Sequence, residues 1–150
     1  MKRRLGSILF LLMISVLAGL GDEKETLEQL IARADSAPAS QQSDLYLEIA
    51  DREAKLASDA YKDNKLPEGH AALQQVVTYT DKAHANVLQS RKKLPHTEIK
   101  IRRLSARMRD LKQNVDADEQ PGVQAAVDKL EGFRTELLKA MFGAKNPEKK

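Results

Sequence analysis

Apolar residues recur along this chain at steps of three and four, the spacing that gathers side chains on one face of an α-helix. Three segments carry the pattern at the same distance from an opening proline. After Pro67 it runs through Leu73, Val76, Thr80, Ala83 and Val87. After Pro95 it runs through Ile101, Leu104, Met108, Leu111 and Val115. After Pro121 it runs through Val127, Leu130, Arg134, Leu137 and Met141, where Arg134 breaks the stripe and Phe133 beside it is expected to fill the space. An earlier segment uses Leu45, Ile49 and Leu56, widened by Tyr46, Ala50, Ala57, Ala60 and Tyr61.

The prolines frame these segments. They stand at positions 38, 67, 95, 121 and 147, and the long stretches between them contain none. Proline is tolerated in the first helical turn and excluded from the interior, where it removes a hydrogen bond and clashes with the preceding turn. The pattern predicts four helices of about 20–25 residues, each about 30–37 Å long, with a shorter helix near 23–35 ahead of them. Tetratricopeptide repeats, faintly suggested by Ala50, Ala57 and Tyr61, place two short helices in each 34-residue period. Here each segment holds one long helix, so that architecture is rejected. Short connections make neighbours antiparallel. The expected fold is all-α: an antiparallel up-down four-helix bundle with a short extra N-terminal helix.

The N-terminus breaks the pattern. Lys2, Arg3 and Arg4 precede an uncharged, mostly apolar stretch from Ile8 to Leu20, with Gly19 and Gly21 at the spacing of a cleavage site before Asp22. That is the layout of a secretory signal, with a second possible cut after Ala18. The alternative is an uncleaved anchor, but the apolar run falls short of the ~20 residues that span a bilayer core. The expected organisation is a signal peptide at 1–21, a helical domain at 22–142 and a flexible tail at 143–150. Export to the periplasm or the medium follows from it.

Removing the signal changes the charge. The full chain carries 25 basic and 22 acidic residues, and losing Lys2, Arg3 and Arg4 leaves 22 of each. The net +3 therefore belongs to the signal and argues for no nucleic-acid partner. There is no cysteine, which rules out a disulfide framework, a thiolate metal site, a cysteine nucleophile and a lipidated N-terminal cysteine. Three tyrosines and three phenylalanines are the only aromatics, so the core must be aliphatic.

Charge is distributed unevenly along the mature chain. Residues 91–112 hold nine Lys/Arg against Glu98 and Asp110, while residues 22–64 hold eleven acids against five bases. One reading makes the basic run a site for an anionic ligand (polysaccharide, lipid headgroup or nucleic acid) centred on Arg102, Arg103, Arg107 and Arg109. The other pairs it with the acids of residues 22–64, since Lys100, Arg107 and Lys112 fall at positions that flank a helix seam. The run lacks the interleaved aromatics on which bases or sugars would stack. Internal pairing is the favoured reading.

Catalytic and metal chemistry find little support. His70 and His84 are 14 residues apart, about 21 Å along a helix, too far for one metal. Asp81 and His84 form an i, i+3 pair, but a carboxylate bundle site needs Glu-x-x-His from two helices and further glutamates. No such motif occurs, and no nucleophile elbow, zinc-protease, phosphate-loop or dinucleotide motif is present. No metal, cofactor or enzymatic activity is expected. Tyr46, Tyr61 and Tyr79 are read either as a partner surface or as core-edge residues with hydroxyls in water.

The C-terminal half, TEIKIRRLSARMRDLK followed by LEGFRTELLKAMF, resembles small exported helical proteins of bacteria that have no assigned function. The likeness covers about residues 43–142 and implies export and an all-α fold, with no functional motif to transfer. The reading that follows is an exported, non-enzymatic interaction or structural protein of the bacterial envelope. A protein partner is expected, no nucleic acid, and membrane contact only transiently through the signal segment.

Overall fold

Helix boundaries follow the prolines. The computed structural model describes residues 25–143, and among these there are five helices and no strand. They are α1 (Leu27–Ser36), α2 (Ala39–Lys62), α3 (Leu66–Ser90), α4 (Leu94–Asn114) and α5 (Gln120–Phe142). Pro67, Pro95 and Pro121 sit in the first turns of α3, α4 and α5, and Pro38 caps α2. α1 opens with a reciprocal cap, in which the Gln29 amide donates to the Thr26 hydroxyl while the Thr26 amide donates to the Gln29 side chain. The expectations for residues 1–21 lie outside the described residues, as does all of the tail beyond Gly143.

One aliphatic core joins all five helices. Leu30, Ile49, Val76, Val87, Ile101, Met108, Val123, Leu130 and Leu137 are fully buried within it. Each large aliphatic side chain contributes about 1.5–3 kcal/mol by leaving water. Ala50, Ala54 and Ala57 are buried on α2, and α3 is the helix that packs most extensively against α2, so small side chains there suit a close neighbour within this chain. Gly69 has the same role at the far end of the pair. A β-carbon there would stand 3.2 Å from the ring of Tyr61, so the ring would have to give way by a few tenths of an ångström.

Paired side chains give the helix directions. Tyr46 meets Tyr79 and Tyr61 meets His70, so α2 and α3 run in opposite senses. Glu98 meets Arg134 and Lys112 meets Gln124, so α4 and α5 do likewise. Across the two hairpins the senses agree. Asp44 meets Lys100 and Asp51 meets Arg107 between α2 and α4, while His70 meets Glu119 and His84 meets Glu136 between α3 and α5. Among the described residues the backbones of α3 and α4, though consecutive, approach each other over only a short stretch, and those of α2 and α5 do not come close. The helices therefore neighbour one another in the order α2, α3, α5, α4.

Two expectations for individual side chains need correction. Leu56 does not join the core and is 47% exposed. The segment that enters α1 meets α2 at Arg52, which donates to the Glu25 carbonyl, and Leu56 lies one turn beyond. Val115 is only half-buried, because α4 stops at Asn114 and Val115 turns to extended backbone. Phe133 does sit beside the break in the third stripe, half-buried, with its ring 4.9 Å from that of His84.

Candidate functional site

The basic run forms the connection from α3 and most of α4. One edge of α4 carries Lys93, His96, Lys100 and Arg107 toward α2. Asp44 of α2 is the hub: Lys93 Nζ lies 2.6 Å from it, His96 Nε2 3.1 Å and Lys100 Nζ 3.6 Å. Burial pushes the Asp44 carboxyl up, but these positive groups outweigh it and hold the carboxyl below the usual range. Two turns further on, Arg107 Nη1 lies 2.7 Å from Asp51.

The other edge faces α5. Arg109 pairs closely with Glu131, which also accepts from the Ser105 hydroxyl and from Arg134 Nη1 at 2.7 Å. Arg134 in turn donates to Glu98 through Nε at 2.9 Å and Nη2 at 2.8 Å. Burial pushes Glu131 up, yet the Ser105 hydroxyl and the two arginines hold it below the ordinary carboxylate value. The Glu98–Arg134–Glu131–Arg109 chain was not foreseen from the sequence, where Arg134 showed only as a gap in a stripe. The signal was present in α4: Glu98 lies at an inward position of the helix and needs a partner.

The four arginines singled out from the sequence do not converge. Arg107 and Arg109 point to opposite edges of α4 and pair with carboxylates of α2 and α5. Arg102 is exposed, with no carboxylate within ion-pair distance among the described residues. Arg103 is exposed too and lines a groove of about 370 Å³ beside Asp44, Glu48 and Asp51, over Leu45 and Leu104. Of the nine Lys/Arg in the run, Lys93, Lys100, Arg107 and Arg109 are paired with acids of this chain.

The histidines are dispersed as well. His70 pairs with Glu119, His96 with Asp44, and His84 is buried with Glu136 at 3.1 Å from Nε2 but off the line of a hydrogen bond. Among the described residues no three His, Asp or Glu side chains converge as a metal ion would need. No described helix is long and apolar enough to cross a membrane. Tyr46 and Tyr79 share Lys82, whose Nζ lies 5.4 and 4.9 Å from their ring centres. The Tyr61 hydroxyl is buried beside Glu119, and does not stand in water as the core-edge reading expected.

Comparison with known proteins adds no relative: no family model matches the chain, and neither a curated protein nor a solved structure is similar to it.

Proposed function

We propose that this chain is an exported, non-enzymatic helical-bundle protein that acts as an interaction or structural component of the bacterial envelope. In this reading the signal at 1–21 is removed and the mature domain is an up-down-up-down bundle. The cross-helix pairs support the alternation of direction along the chain. The observation that carries the functional reading is how the charge on α4 is used: its paired basic side chains reach acids on two different helices instead of gathering around one cleft. A surface built this way holds a fold together and leaves helix faces to meet other proteins.

A second reading keeps Arg102 and Arg103 as part of a site for an anionic ligand, and their exposure favours it. Salt separates the two. Phosphate or sulfate contacts weaken steeply with ionic strength, whereas apolar helix packing does not. Retention on heparin at physiological salt should be weak. A pull-down from envelope extract should keep its protein partners in high salt. Strong heparin retention that disappears in Arg102→Glu/Arg103→Glu would overturn the first reading and establish the second.

A further inference from the structure

The outer groove between α2 and α3 has features that the packing of this chain does not explain. It is about 500 Å³ in volume and lined by four acids, Glu53, Asp59, Asp63 and Glu68, against one base, Lys65. Asp59 is paired with Lys55 at 2.6 Å and Asp63 lies 3.7 Å from Lys65. Glu53 has no hydrogen-bond or ion-pair partner among the described residues; the residue is only 7% exposed, and its carboxylate meets solvent through the groove it lines. Burying an unpaired carboxylate opposes folding, so a cation supplied from outside would relieve that cost. One turn away Leu56 stands exposed in the same groove. A largely buried acid without a protein partner, beside an uncovered leucine, suits a helix that offers a cation beside an apolar side chain.

The chain carries such a helix face. The solvent side of α4 presents Ile99, the only large aliphatic on α4 that is exposed, with Arg102 one turn on and Lys92 just ahead of the helix. Arg102 and Lys92 have no carboxylate partner among the described residues. Glu53 precedes Leu56 by three residues on α2, and Arg102 follows Ile99 by three on α4, while Asp63 lies at the end of α2 and Lys92 in the turn that enters α4. Laid antiparallel, the two helices bring Glu53 to Arg102 and Leu56 to Ile99, and put the end of α2 that holds Asp63 beside the basic entry turn of α4 that holds Lys92. The same orientation sets the negative C-terminal end of α2 against the positive N-terminal end of α4.

We infer that the α2–α3 groove is a docking surface for the α4 face of a second copy of this chain, with Arg102 answering Glu53, Ile99 packing on Leu56 and Lys92 answering Asp63. This deepens the interaction reading above and rests on it, by naming one partner. The two surfaces differ, so the contact is heterologous in kind, and it either closes into a small assembly or extends.

Sedimentation velocity of the purified protein, from micromolar concentrations upward, tests the inference. Association that grows with concentration is expected. Leu56→Ser should weaken it at least tenfold, as loss of a central apolar contact does. Lys92→Glu should weaken it about fivefold, the scale of one exposed pair. Both positions are exposed, so circular dichroism should stay unchanged. Adding Asp63→Lys to Lys92→Glu in one chain should restore association. A monomer at every concentration, or association indifferent to all three changes, would overturn the inference. A monomer that instead captures a basic helix of another envelope protein would also overturn it while leaving the interaction reading intact. A monomer that captures no protein would sink both.

Discussion

Two carboxylates set opposite pH dependences. Burial pushes Glu53 above its ordinary value of 4.5. The folded state then holds that proton more tightly than the unfolded chain, and stability falls as pH rises through the carboxylate range. Glu53→Gln should therefore raise the melting temperature at pH 7 and change it little below pH 4.5. The gain should come with weaker self-association, a cost common where a strained site serves binding. Asp44 behaves in the other sense. Held below its ordinary 3.8, it stabilises the fold above that value, and the contribution is lost as pH falls through the depressed one. The Glu98–Arg134 pair is the most buried of the ion pairs, so Arg134→Met strands a carboxylate. The cost should be about 2–3 kcal/mol, below the full range for buried pairs because both side chains keep some exposure. Glu98→Gln with Arg134→Met should cost less than Arg134→Met alone in urea unfolding, and equal costs would mean that the pair is solvated.

At the scale of the helix, the stripes read from the sequence largely mark the core. Leu104 and Leu130 are buried in it. Leu104→Ala and Leu130→Ala should each cost about 2–5 kcal/mol in urea unfolding, since a buried leucine loses its transfer energy and leaves a cavity. Losses under about 1 kcal/mol for both would place the stripes toward solvent. Proline positions made the helix starts legible, because the missing N–H and fixed φ act locally. Leu56 was illegible for a complementary reason. Its periodicity is that of a core residue, but burial depends on what covers that turn of α2, which a stripe within one helix does not encode. The order of the helices was hidden too. Short connections imply neighbours, yet the three residues between α3 and α4 join helices whose backbones approach each other over only a short stretch. What decides the order is the cross-helix pairing, Asp44 to Lys100 and Glu98 to Arg134, and such partners are distant in sequence.

For the whole molecule, two expectations concern its fate and its surface. Protein recovered from the periplasm or the medium should have an intact mass that begins at Asp22 or Gly19. A full-length mass in the membrane fraction would make it an anchored protein instead. The candidate site was legible as a basic segment and not as an arrangement, because composition counts charges while function depends on where each one points. Arg107 and Arg109 are two residues apart and serve different helices. The central claim is that the α4 charges complement acids of this chain. The most direct measurement is the stability of Arg103→Glu with Arg107→Glu, taken from one thermal melt beside the wild type. Arg107 loses Asp51, and both new carboxylates face the acids of α2. Exposed pairs contribute about 0.2–1 kcal/mol each, so with repulsion added the double variant should lose about 1–2 kcal/mol. A double variant as stable as the wild type or more so would contradict the claim, because arginines gathered for an external anion repel one another in the free protein.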